Sequence, residues 1–142
     1  MTQPDKAKLK RLHRLERVRA IAKQAAAREA AEAESTLAQL EALAERTRRL
    51  AAEYAARNET PDGAALIQIG RFAAGLQHIH ETTTRDSVRA RQVADGKLAE
   101  LSAAERRRAV VEDRAVATAR SLASSRDLPS LAAMKRFGTG LE

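Results

Sequence analysis

Three histidines and one glycine pair are the residues of this 142-residue chain whose types could do chemistry, since it has no cysteine. His78 and His80 stand two apart, which on a helix puts them on different faces, and no third ligand accompanies them. His13 lies among basic residues and reads as a solvated side chain. Gly138-Thr139-Gly140 has no strand before it and no helix after it, the setting that a phosphate-cradling loop requires. Asp and Glu are plentiful, but they alternate with Arg and Lys in the manner of surface pairs three and four apart on a helix. An enzyme needs converging groups in a water-excluding cavity, and no such constellation emerges. Neither a catalytic residue, a metal, a cofactor nor a small-molecule substrate is expected.

What remains is charge, and it is localised. Residues 6–23 hold eight basic side chains (Lys6, Lys8, Lys10, Arg11, Arg14, Arg17, Arg19 and Lys23) against the single acid Glu16. That segment carries the chain's whole formal net charge of +7, and the remainder is neutral. Cations at a helix N-terminus oppose the macrodipole at a few tenths of a kcal/mol each. The cluster therefore suits an acidic partner better than it suits the helix. Phosphate and acidic protein both answer to that description, and a solvated basic helix start answers to it as well.

The elements that position these residues are helical throughout. Between Pro4 and Pro61 there is neither glycine nor proline, and the segment is built almost entirely of Ala, Leu, Glu, Arg and Lys, which are among the best helix formers. The spacing predicts one helix over about 4–58, roughly 80 Å at 1.5 Å per residue. A turn over about 59–63 follows, in which Thr60 caps a second helix and Pro61 and Asp62 occupy its first turn. The second helix runs over about 64–125, and a tail over 126–142 begins where Ser124-Ser125-Arg126-Asp127-Leu128-Pro129 breaks the pattern. With aromatics at 2 %, a seam between two helices is a better fit than a globular core. The expected fold is all-α, one long antiparallel two-helix coiled-coil hairpin with a short C-terminal segment.

The apolar spacing sets the expected seam. Leu37, Leu40, Ala44, Thr47, Ala51 and Tyr54 alternate three and four apart. Upstream, Leu15, Val18, Ala22, Ala26, Ala30 and Ala33 continue with a run of fours that straightens the supercoil. In the second helix Ile69, Phe72, Leu76, Ile79 and Thr83 restate the rhythm, followed by Leu98, Leu101, Ala104 and Arg108, then Val111, Ala115, Thr118 and Leu122. Gly70, Gly75 and Gly96 interrupt this helix at roughly 1 kcal/mol each. They mark either tolerance in an overlong helix or the close approach of a partner. No stretch approaches the 18 or so apolar residues of a membrane span, so the chain is expected to be soluble and not exported.

Three sequence features then acquire a joint meaning. They are the basic start Lys8-Leu9-Lys10-Arg11-Leu12-His13-Arg14-Leu15-Glu16-Arg17-Val18, the turn near the midpoint, and the apolar opening Ala65-Leu66-Ile67-Gln68-Ile69-Gly70-Arg71-Phe72-Ala73-Ala74-Gly75-Leu76. With a charged late helix and a small terminal segment, this layout resembles the flagellar export protein FliJ and its type III secretion counterpart YscO. The resemblance implies a non-enzymatic coupling component of a bacterial export apparatus. It implies a cytoplasmic coiled coil, peripheral to the inner membrane through protein partners, that engages the hexameric export ATPase and the membrane export gate, with export chaperones as further partners. By the same resemblance Phe72 and Leu76 match the aromatic and aliphatic residues of the gate contact, and the rod ends face the ring. Lys8, Arg11, Arg14 and Arg17 are the candidate residues for the ATPase or another acidic partner. The Ala-rich first helix and the three glycines of the second depart from the pattern. Two other readings stand beside it: a nucleic-acid-binding hairpin using the basic arm, and a purely structural coiled coil. The first is disfavoured by the scarcity of aromatics for stacking and the absence of a recognised binding module.

Overall fold

The computed structural model describes residues 3–57 and 62–138, with side chains described as far as Asp127. Two helices make up the fold, α1 (Gln3–Ala55) and α2 (Gly63–Gly138), packed against each other as a helical hairpin. Their contacts divide the chain into two compact units. One is Ala27–Glu100, and the other is Met1–Ala26 together with Leu101–Glu142.

α1 ends by tightening. The Ala56 amide still donates to the Ala52 carbonyl at 3.0 Å, but the Arg57 amide reaches back only three residues, to Tyr54 at 3.3 Å. Asp62 stands just before α2, and its Oδ1 accepts a hydrogen bond from the Ala65 amide at 2.7 Å. A carboxylate here satisfies an orphan donor and complements the positive end of the helix. Asp62 thus caps α2. Thr60 and Pro61 lie outside the described residues.

α2 also outruns its expected end, continuing through Pro129 to Gly138. Proline in a helix interior removes one hydrogen bond, here the donor to the Ser125 carbonyl, at about 3 kcal/mol. The next residues, Leu131-Ala132-Ala133-Met134-Lys135-Arg136, are strong helix formers that favour resuming the helix on the far side. The separate tail expected from 126 onward is therefore helical as far as Gly138.

Within the Ala27–Glu100 unit the α1 seam falls as the spacing predicts: Ala30, Leu37, Ala44, Thr47 and Ala51 are buried, with Ala33, Leu40 and Tyr54 half-buried between them. On α2 the seam is Ile69, Ala73, Leu76, His80, Thr83, Ala90, Ala94 and Lys97. Three expected seam residues, Phe72, Ile79 and Leu98, are instead exposed, each one position away from the true seam. The chain reverses direction between the helices, and the contacts of Tyr54 with Phe72 and of Glu29 with Lys97 fix the register. Leu37 then stands opposite Ala90, Ala51 opposite Leu76, and Tyr54 opposite Ala73. Large side chains meet small ones, which fills the seam without spreading the helices. The smaller Ala73 and the hydrogen-bonding His80 take the inward places next to Phe72 and Ile79.

The other unit holds the larger correction. Its α1 seam runs through Leu9, Leu12, Glu16, Arg19 and Lys23, all half-buried, while Leu15, Val18 and Ala22 face outward. The strict three-four alternation therefore extends from Leu9 to Tyr54 with no run of fours. Arg19 and Lys23 can occupy seam positions because their aliphatic stems pack while their charged ends reach out. On α2 the expected Val111, Ala115 and Leu122 are buried, with Leu101, Ala104, Arg108 and Thr118 half-buried.

The glycines meet nothing. A Cβ built on Gly70, Gly75 or Gly96 finds no atom within 4 Å, so no close approach within the described residues calls for them. Gly96→Ala is expected to raise stability by about 1 kcal/mol, measured as a higher midpoint in urea. A lower midpoint would show that the Gly96 backbone is packed against something.

Candidate partner-binding surfaces

The first surface lies near the tip of the Ala27–Glu100 unit. Phe72 is 52 % exposed, yet it is held in place: its ring meets Tyr54 edge-on, with centroids 4.7 Å apart and planes at 70°. The Arg57 guanidinium sits 4.2 Å from the Tyr54 centroid, so Tyr54 contacts both Phe72 and Arg57. Edge-to-face pairs and cation–π contacts each contribute of order 1 kcal/mol. Leu43 and Ile79 are also exposed in this unit. Leu76, four residues from Phe72, is only 8 % exposed. It belongs to the seam, so of these two residues Phe72 is the one that offers accessible apolar surface.

One turn further along, the seam turns polar. His80 Nδ1 lies 2.9 Å from the Ala44 carbonyl oxygen. The acceptor is a carbonyl, so Nδ1 bears the proton. A side chain reaches the main chain of the opposite helix because Ala44 offers only a methyl group. The Thr47 hydroxyl shares its proton between the Leu43 and Ala44 carbonyls, each at 3.0 Å. His80 is thus engaged with α1 while His78 is exposed. Among the described residues no three His, Cys, Asp or Glu side chains come together as a metal site.

Four cations of this unit pair with acids among the described residues. Arg91 pairs with Glu41 at 2.5 Å, Lys97 bridges Glu29 at 3.1 Å and Glu100 at 3.3 Å, and Arg48 and Arg49 share Glu45 at 2.8 and 3.0 Å. Hydrogen bonds from Arg48 and then Arg49 hold the Glu45 carboxyl down to about 2. What this pairing contributes is present above the ordinary carboxylate pKa and is lost as pH falls through about 2. The Lys97 ammonium is raised, chiefly by its hydrogen bonds to Glu29 and Glu100. Its contribution is complete below the ordinary lysine pKa and is lost as pH rises beyond it. These pairs are exposed and individually weak.

The second surface is the basic arm. Lys8, Arg11, Arg14 and Arg17 are all exposed, but they do not share one face. Steps of three residues rotate them progressively around the helix. Arg19 behaves differently. It lies in the seam and, with Ala103, Arg106, Arg107 and Val110 of α2, lines a shallow groove of about 390 Å³. The Nε atoms of Arg19 and Arg108 are buried with no hydrogen-bond partner among the described residues, an arrangement that costs about 1–3 kcal/mol per group. Sequence reasoning had placed Arg19 in the cluster but missed Arg106, Arg107 and Val110. The signal that finds them is the packing of α2 on α1 within this unit, which brings Arg19 beside Ala103, Arg106, Arg107 and Val110.

By unit, the charge separates further than the sequence reading had it. The unit formed by Met1–Ala26 and Leu101–Glu142 holds sixteen basic and seven acidic side chains, a formal +9. Ala27–Glu100 holds ten basic and twelve acidic, a formal −2. No helix is long and apolar enough to cross a membrane among the described residues. No protein-family model matches the chain, and no curated protein or solved structure matches it either.

Proposed function

We propose that the chain is a non-enzymatic coupling component of a bacterial flagellar or type III protein export apparatus. It works in the cytoplasm against the inner membrane through its protein partners. Its basic arm, Lys8, Arg11, Arg14 and Arg17, engages the hexameric export ATPase, and Phe72 engages the membrane export gate. The observation that carries this reading is Phe72: a large aromatic left half exposed beside the seam while Tyr54 and Arg57 hold its position. Exposed, pre-positioned aromatics are the residues that become buried anchors in complexes. An asymmetric hairpin inside a ring of like subunits contacts only some of them at once and so biases their conformations unequally.

The test is Phe72→Ala in the host cell. Motility or secretion, together with recovery of the gate protein on the immobilised chain, is expected to fall at least about tenfold, in line with loss of an interface anchor. The helical melt should move little. Normal export and normal gate recovery with a stable Phe72→Ala protein would overturn the assignment.

A further inference from the structure

The face on which Arg19 opens is more than a basic patch. On α1, Leu15 and Ala22 stand four before and three after Arg19, so they lie on the same side of the helix. Val18 lies on that side too, and Leu15 and Val18 are 39 % and 60 % exposed. On α2, Val110 is 49 % exposed and is followed four residues later by Arg114. An apolar strip therefore runs beside the groove, flanked by Arg107 and Arg114 on one helix and Arg11 on the other. None of the ion pairs among the described residues reaches an arginine of this face. In this unit His13 pairs with Glu16 at 3.7 Å, and Arg106 donates to the Ser102 hydroxyl at 3.0 Å. In Ala27–Glu100, by contrast, Arg48, Arg49, Arg91 and Lys97 each reach a carboxylate.

We propose that this face docks a third helix, an acidic amphipathic segment of a protein partner whose apolar edge lies on Leu15, Val18 and Val110 and whose carboxylates meet Arg11, Arg19, Arg107 and Arg114. This deepens the functional reading above and rests on it only in treating the basic arm as a contact surface. Three arguments select the occupant. A unit of formal +9 is complementary to an acidic surface and repels the same face of a second copy. The apolar residues lie along a groove between two helices, the shape into which helix side chains interdigitate. The strip is aliphatic, without the aromatic residues that anchor interfacial helices in a bilayer. Arg19, which lines the groove, brings a guanidinium whose Nε is already desolvated and without an acceptor among the described residues.

The experiment uses the full chain and a synthetic 21-residue helical peptide with Leu at the two seam positions of each heptad and Glu at the flanking positions. The chain is expected to bind this peptide and to bind the Gln-for-Glu version at least about tenfold more weakly. Arg107→Glu should weaken binding about tenfold or more, and Val18→Ser about fivefold, because both charge and apolar contact contribute. Arg120→Glu makes the same charge change off this face and should leave affinity within about twofold. All three positions are exposed, so the fold should survive, as a melt will verify. Equal losses in Arg107→Glu and Arg120→Glu, no effect of Val18→Ser, or tighter binding to phosphatidylserine vesicles or duplex DNA than to the peptide would overturn the proposal. Concentration-dependent self-association that blocks the peptide would overturn it as well. The peptide assay involves no export component, so its failure is distinguishable from failure of the export reading, which Phe72→Ala tests alone.

Discussion

Leu76→Ala is expected to cost the hairpin about 2–5 kcal/mol, the range for truncating a buried leucine. Leu76 is 8 % exposed and stands opposite Ala51, itself 7 % exposed. Ala51 is too small to move into the space that a lost isobutyl group would leave. Phe72→Ala, four residues away, should cost only about 1 kcal/mol, the worth of its edge contact with Tyr54. The larger side chain therefore gives the smaller effect. Urea unfolding of the two variants checks this, and a greater loss for Phe72→Ala than for Leu76→Ala would place Phe72 inward.

Ala94→Leu is expected to destabilise by about 1–3 kcal/mol by overpacking. Ala94 is 0 % exposed and stands opposite Ala33, the point where both helices present only methyl groups. Three extra carbons there must push the backbones apart and stretch the neighbouring Lys97–Glu29 contact, now 3.1 Å. Ala99→Leu, at an exposed position of the same helix, serves as the control and should be nearly neutral. A stabilised Ala94→Leu protein would show a void where the seam is described as closed.

How far the sequence revealed this arrangement depends on what each residue reports. Glycine and proline report locally, so the uninterrupted first helix and the reversal near Pro61 were legible. Pro129 misled because a local rule was outweighed by the helix formers beyond it. Apolar spacing reports the seam only where the apolar residues are the ones buried. That held for Leu37 to Tyr54 and for Val111 to Leu122. It failed at Leu15, Val18, Phe72 and Ile79, because phase is a property of the whole helix and of the partner opposite. One helix read alone cannot show that Tyr54 needs Ala73 across from it, or that Glu16 and Arg19 take seam places. The candidate surfaces followed the same division. The exposed cations Lys8, Arg11, Arg14 and Arg17 were visible as a cluster, whereas the groove that joins Arg19 to Arg107 and Val110 exists only once the chain has folded back.

The folding back of α2 on α1 positions both candidate surfaces, and intrachain crosslinking tests it most directly. The chain has no cysteine, so Ala33→Cys and Ala94→Cys introduced together would be its only thiols, placed opposite each other in the seam. Mild oxidation of dilute protein is expected to give a monomer with an internal disulfide, since Cα atoms about 4.4–6.8 Å apart can be bridged. Shifting one cysteine to the exposed Val93 should abolish that product. Disulfide-linked dimers in place of the internal bridge, or equal bridging from positions 93 and 94, would contradict the hairpin and its register.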